Sequence, residues 1–267
     1  MPGPDLSLLI RAAIAAGETA TRFTGKHARR WDKPDGAGPV TEADLAVNAV
    51  LHEQLTGARP GYGWLSEESD DSTDRLNCSD VFIIDPIDGT RSFVEGSKTW
   101  AHSLAVARAG SVTAAVIYLP MRELMFAAET GQGATLNGDK ICTSRPGHLR
   151  DADILAARPN MDARHWQNGQ PPEFKRSYRP SLAYRMALVA QGRFDGMLTL
   201  RPSWEWDIAA GDLILRESGG RCTDQTGAAL QFNNSIPKVD GVLAAGPQVH
   251  SDLSKALIRN RHGRPAA

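Results

Sequence analysis

The sequence predicts an α+β fold, with a mainly antiparallel sheet in the N-terminal half and a smaller α/β C-terminal half. Three observations carry this. The chain opens with apolar residues at helical spacing, Leu6, Leu9, Ile10, Ala13 and Ile14, with Phe23 beyond them. Its middle is a series of short apolar runs joined by turn residues, Ala109-Gly110-Ser111 and Asn137-Gly138 among them, and tight turns join antiparallel neighbours. After Arg145-Pro146-Gly147, strand-like and helix-like segments alternate.

In chain order, the first stripe is a helix whose role is core packing. A second helix opens at Val40-Thr41-Glu42-Ala43-Asp44 and runs to Leu55, with Thr41 as its N-cap and Asp44 completing a capping box. Strands are expected at 62–65, 81–84, 102–108, 112–118 and 124–128, and 131–140 is a further hairpin around Asn-Gly. Pro86 fixes φ and lacks a donor, so the strand at 81–84 should end there. Further strands at 153–157, 196–200 and 241–245 alternate with helices near 182–191 and 207–217, while the polar 159–172 segment is loop. The halves divide between residues 145 and 146: 1–145 carries most carboxylate motifs, and 146–267 supplies Asp207 and substrate contacts.

A chain of 267 residues, 41% apolar, has the length of one or two domains and can bury a substantial core. A formal net charge of -1 gives no global field towards nucleic acid or an anionic membrane. Cys78, Cys142 and Cys222 lack C-x-x-C spacing and read as reduced thiols. Met1-Pro2-Gly3-Pro4-Asp5 lacks a basic, apolar leader, and no apolar run approaches the ~20 residues of a membrane span. The expectation is a cytoplasmic protein without nucleic-acid or membrane partners.

Asp85-Pro86-Ile87-Asp88-Gly89-Thr90 is the stretch best suited to chemistry. Hard divalent cations want charged oxygen ligands. With the strand ending at Pro86, Asp85 and Asp88 can face one space, the Ile87 carbonyl between them. Gly89 permits close backbone approach, and Thr90 opens a helix whose free N–H groups suit phosphate. Turns and caps account for the same residues without any metal. Three other segments supply carboxylates. Ser66-Glu67-Glu68-Ser69 lies at a strand end, or in a solvated acidic loop with Asp70, Asp71 and Asp74. Asp44 is a capping residue that can serve function as well. In Trp206-Asp207-Ile208-Ala209-Ala210-Gly211, Asp207 starts a buried helix, as a cap or as a ligand.

In this order the segments resemble the inositol monophosphatase family of Mg²⁺-dependent, Li⁺-sensitive phosphatases. Its first signature is matched by Ile84-Asp85-Pro86-Ile87-Asp88-Gly89-Thr90-Arg91-Ser92-Phe93, its second by Trp206-Asp207-Ile208-Ala209-Ala210-Gly211 with Glu217-Ser218-Gly219-Gly220 following. Lys33, Val40-Thr41-Glu42-Ala43-Asp44 and Ser66-Glu67-Glu68-Ser69 match the remaining active-site segments. The resemblance covers nearly the whole chain. It implies a layered α-β-α-β-α sandwich with the site between the halves, and two to three Mg²⁺ ions as cofactor. Glu67, Asp85 and the Ile87 carbonyl would hold one ion; Asp85, Asp88 and Asp207 would hold a second. It implies catalytic roles for Glu67, Thr90 and Asp44, with Thr90 orienting a water and Asp44 supporting it, and phosphate binding by the Gly89 and Thr90 amides. Lys33 would guide Glu67 or a third ion; within Lys-Pro-Asp-Gly it is also readable as a surface lysine. A homodimer is compatible with the resemblance.

Other classes fit less well. Aspartyl-phosphate phosphatases of the haloacid dehalogenase type use D-x-D-G-T, whereas Asp85 and Asp88 are three apart. A cation-binding protein without turnover needs the same carboxylates but not the Thr90–Asp44 pair. For substrate, inositol-specific members of the resembled family place an acidic residue about seven before the second-signature aspartate. Here Thr199-Leu200-Arg201-Pro202-Ser203 has no carboxylate. Arg201 suits a second phosphate, as does Arg91 at a position where bisphosphate nucleotidases often carry Lys or Arg; either could also be simply solvated. The expected substrate is a small phosphate ester, a 3′(2′),5′-bisphosphate nucleotide first and inositol 1-phosphate second.

Overall fold

The computed structural model describes residues 3–23, 28–33 and 38–258; the Met1-Pro2 start and Pro34-Asp35-Gly36 lie outside them. Helix α1 (Pro4–Thr21) begins on a proline with Asp5 in its first turn. Strands β1 (Arg30–Asp32) and β2 (Pro39–Thr41) pair as a small antiparallel ribbon that runs straight into α2 (Glu42–Ala58). The capping box forms: the Thr41 hydroxyl accepts from the Ala43 and Asp44 N–H groups, and Asp44 accepts from the Thr41 N–H at 2.8 Å.

A seven-stranded sheet follows, built in spatial order from β3 (Gly63–Ser66), β4 (Asp80–Asp88), β5 (Ala101–Arg108), β6 (Ser111–Leu119), β7 (Leu124–Glu129), β8 (Gly133–Leu136) and β9 (Asp139–Lys140), with α3 (Thr90–Val94) after β4. β3 and β4 are parallel and every other pair is antiparallel. The two hairpins expected from turn residues both form. Ala109 and Gly110 (φ 48° and 81°) and Asn137 and Gly138 (φ 51° and 90°) take the left-handed backbone that two-residue hairpin loops require.

The second sheet contains β10 (Asp153–Ala156), β11 (Lys175–Ser177), β12 (Gly196–Trp204), β13 (Arg221–Thr223) and β14 (Lys238–Ala245), in spatial order β11-β10-β12-β14-β13. Helix α4 (Leu182–Ala190) precedes β12, α5 (Glu205–Glu217) follows it, and α6 (Pro247–Ala256) closes the described chain. The expected division at residues 145 and 146 falls between β9 and β10.

Three apolar layers hold these elements. Leu9, Val47, Leu51 and Leu55 of α1 and α2 pack on Phe82, Ile84, Leu104 and Val116 of the first sheet. The opposite face of that sheet, Ile83, Ala105, Ala115 and Ile117, meets Met186, Ile208, Leu213 and Ile214 of α4 and α5, which also contact Met197 and Ala244 of the second sheet. Ile154, Leu198 and Leu243 then pack against Val249 and Leu253 of α6. The result is the α-β-α-β-α sandwich. Because helices cover both faces of the first sheet, the 81–84 stretch of β4 reads as an unbroken apolar run, not as an alternating one.

Several local expectations differ. β4 does not end at Pro86 but continues to Asp88 through a bulge: Asp85 pairs with Ser103 and Asp88 with Ala101, leaving Pro86 and Ile87 opposite His102. A bulge is where a proline fits within a strand, because no ladder donor is required of it. Ile14 is 43% exposed, because α1 approaches the sheet through Ala12, Ala13, Ala16 and Ala20; a Cβ on Gly17 would stand 2.8 Å from the Tyr118 ring. α5 begins two residues before Asp207: the Glu205 carboxylate in its first turn accepts the Asn233 and Asn234 N–H groups at 2.7 and 2.9 Å.

Candidate active site

The C-terminal end of β4 delivers Asp85 and Asp88, both buried, into a cavity of about 380 Å³ also lined by Glu67, Thr90 and Asp207. Glu67 follows β3, and Asp207 lies in the first turn of α5. Carboxylate oxygens of Glu67, Asp85 and Asp207 all lie within 4.8 Å of one another. Burial pushes the Asp85 pKa well above the carboxylate range, and Glu67, Asp88 and Asp207 push it further. Asp207 is raised in the same way, by burial first and then by Asp88 and Glu67. Asp85 Oδ1 is buried without a hydrogen-bond partner among the described residues. Such an oxygen, among converging carboxylates, is the donor set of a hard cation.

Asp88 lines the same cavity but stands outside that closest group of three. Its Oδ2 accepts from the Ser181 hydroxyl at 2.6 Å and the Ala183 N–H at 2.7 Å. Burial raises its pKa to about 6 against the pull of these two donors. Ser181 also caps α4, accepting from the Tyr184 N–H, and holds φ at 65°, rare for a residue with a Cβ.

Asp44 bridges the cap of α2 and Thr90. Its Oδ2 accepts from the Thr41 hydroxyl at 2.6 Å, and its Oδ1 accepts from the Thr90 hydroxyl at 3.2 Å. Burial raises Asp44 to about 6 despite these donors. Gly89 adopts φ 97° and caps α3, so Thr90, Arg91 and Ser92 carry N–H groups without helical partners. Lys33 is no solvated lysine: its Nζ pairs with Glu67 at 3.0 Å and Glu68 at 2.7 Å. Burial alone would lower its pKa, yet the two glutamates carry it above its ordinary value. Glu68 rises to about 7 through burial, offset in part by Lys33.

Arg91 and Arg201 are exposed at the cavity wall. Arg201 stands where the β12–β14 register shifts, between Thr199 and Pro202. Sequence reasoning missed Ser181, Tyr178 and Arg185, which also line the cavity. Two signals were present: Ser181 precedes an apolar helical run as a cap should, and Arg185 is the one charged residue in Leu182–Ala190.

A model of the inositol monophosphatase family matches residues 4–264. The chain belongs to this family. It is similar to an inositol-1-monophosphatase from Mesorhizobium japonicum, 32% identical over 272 residues that cover 95% of this chain and 94% of that one. It is also similar to a histidinol-phosphatase from Mycobacterium tuberculosis, 33% identical over 256 residues, 91% of this chain and 96% of that one. Among solved structures, the suhB extragenic suppressor protein of Bartonella henselae superposes with a TM-score of 0.78 at 30% identity, covering 95% of this chain and 98% of that one. Members of the inositol monophosphatase family are phosphatases, and this chain is a phosphoric monoester hydrolase. The family depends on Mg²⁺ in general, and the Glu67–Asp85–Asp207 cluster could hold a metal ion. No helix among the described residues is long and apolar enough to cross a membrane.

Proposed function

We propose that this enzyme hydrolyses a small 3′(2′),5′-bisphosphate nucleotide, releasing one phosphate with the help of Mg²⁺. The observation that supports the metal reading is the orphaned, buried Asp85 Oδ1 among the oxygens of Glu67 and Asp207. Glu67, Asp85 and the Ile87 carbonyl would hold one ion, and Asp85, Asp88 and Asp207 a second. Mg²⁺ bound there supplies charge neutralisation for the phosphate and acidifies water. The chain's own residues do the rest. The Thr90 hydroxyl, donating to Asp44, keeps its lone pairs for an O–H of the attacking water and so orients it. The first N–H groups of α3 and the Arg91 guanidinium hold phosphate oxygens. Lys33 fixes Glu67 between the ribbon and β3.

The nucleotide reading is supported by Arg201 at the wall and by the absence of a carboxylate in 199–203 to receive ring hydroxyls. Inositol 1-phosphate is the second reading, because the Mesorhizobium relative bears that activity in its name. The test is kcat/KM with Mg²⁺ on 3′-phosphoadenosine 5′-phosphate, inositol 1-phosphate and histidinol phosphate, side by side. The bisphosphate should lead. A strong preference for either monophosphate would overturn the nucleotide assignment and leave the phosphatase intact. On the bisphosphate, Arg201→Ala should raise KM roughly 10-fold, the loss of one charge-assisted contact, with less change in kcat.

A further inference from the structure

A second cavity of about 370 Å³ adjoins the acidic one, walled by Asn160, Arg164, His165, Tyr178, Arg185 and Arg201. Tyr178, Arg185 and Arg201 line both cavities, so the two meet at these side chains. Arg185 is 7% exposed, and its charge forms no ion pair with a carboxylate among the described residues. Its Nε donates to the Arg179 carbonyl, and its guanidinium lies 4.5 Å from the centroid of the Tyr178 ring, which fixes its plane. Burial lowers the Arg185 pKa, and Arg201, a second positive charge near enough to oppose it, adds to that, against the opposite pull of Tyr178 and Asp88. Asp88 attracts Arg185 from a distance, but its Oδ2 is taken by Ser181 and Ala183. Burying a guanidinium beside another is costly unless an anion completes the pair.

We infer that the second cavity receives a phosphoryl group on the leaving side of the substrate, held by Arg185 and Arg201, with Tyr178 positioning Arg185. The inference rests on the phosphomonoesterase reading above and adds the place and the buried cation that would select a substrate with two phosphates. A tetrahedral dianion suits two guanidiniums, each able to present paired donors. If Arg185 were only a countercharge for the acidic cluster, its loss would affect every substrate alike.

The test uses the full chain and has two arms. In the first, kcat/KM is measured with Mg²⁺ on 3′-phosphoadenosine 5′-phosphate and on p-nitrophenyl phosphate, which lacks a second anion. Arg185→Met should lower the ratio between them roughly 10-fold or more, mainly through KM, with Arg185→Lys between. In the second, without Mg²⁺ or turnover, calorimetry compares adenosine 5′-phosphate with adenosine. The wild type should bind the phosphate form more tightly, and the difference should vanish in Arg185→Met. Equal losses on both substrates, or equal binding of both ligands by the wild type, would overturn the subsite. Hydrolysis of neither substrate by the wild type would instead overturn the phosphatase reading. Should Arg185→Met fail to fold, the wild-type binding comparison and the same two arms on Arg201→Met decide.

Discussion

Asp85 is 1% exposed and shares its surroundings with Glu67, Asp88 and Asp207. Like charges at this spacing repel, and a neutral residue relieves them. Asp85→Asn should therefore raise the melting temperature of the metal-free protein. The same change should cost at least ~10²-fold in Mg²⁺-dependent kcat/KM, since an amide is a poor ligand for a hard cation. Asp88→Asn should lose comparable activity while keeping the fold; near-normal turnover in either variant would remove that residue from the metal site. His250 carries the pH prediction. Burial and then Arg221 lower its pKa from the ordinary 6.5 to about 4, with Nε2 on the Thr223 hydroxyl at 2.9 Å. The unfolded chain takes up the proton first as pH falls, so this contribution is complete above pH ~6.5 and lost towards the folded value. Between those limits the wild type should lose more stability than His250→Gln, on the order of 1–3 kcal/mol once solvent screening is allowed for, read from urea midpoints at each pH.

At the level of elements, the start of α4 joins cap and site. Ser181→Ala removes the hydroxyl that caps α4 and donates to Asp88, at a residue whose φ is 65°. The expected cost is about 1–2 kcal/mol. Ser181→Gly should cost less, because glycine adopts that φ freely; chemical denaturation of both variants checks the order. Elements of this size were legible in the sequence when they repeated a period: α2 and its capping box, the β5–β6 and β8–β9 hairpins, and the helix carrying Asp207. Three-residue strands such as β1, β2, β11 and β13 offer too few positions for alternation to register. The carboxylates and Thr90 were legible because their chemistry is written locally, in D-x-x-D-G-T and W-D-x-A-A-G. Arg185 was not, because its meaning depends on Tyr178, Arg201 and Asp88, which only the fold brings near.

At the level of the whole molecule, the middle layer binds the two sheets into one body. The packing of Met186, Ile208 and Leu213 against both sheets leads us to propose that 1–145 and 146–267 are halves of one cooperative unit. Scanning calorimetry should then show a single unfolding transition; two resolved transitions would separate the halves. The site draws on both, with Asp85 and Asp88 from the first sheet and Asp207 from α5. A cation bound there should stabilise the entire chain, by about 2.7 kcal/mol at 100 times its dissociation constant. Mg²⁺ should raise the melting temperature of the wild type and not that of Asp85→Asn. Ca²⁺, larger and looser in its geometry, should compete with Mg²⁺ and inhibit turnover, as should Li⁺ at high Mg²⁺; an enzyme that turns over equally well on Ca²⁺ would refute this.

The bulge in β4 has an arithmetical consequence. A regular strand counts by twos, so residues an odd number apart face away from each other. Asp85 and Asp88 are three apart and nevertheless share one cavity, because the strand miscounts once at Pro86 and Ile87. The parity of the D-x-x-D spacing is therefore a written trace of an irregular backbone, legible without coordinates once the two aspartates are known to act together. A chain lacking Ile87 would restore the even count and keep both carboxylates on the same side. What it would lose is the Ile87 carbonyl, to which the Thr90 hydroxyl donates at 3.2 Å.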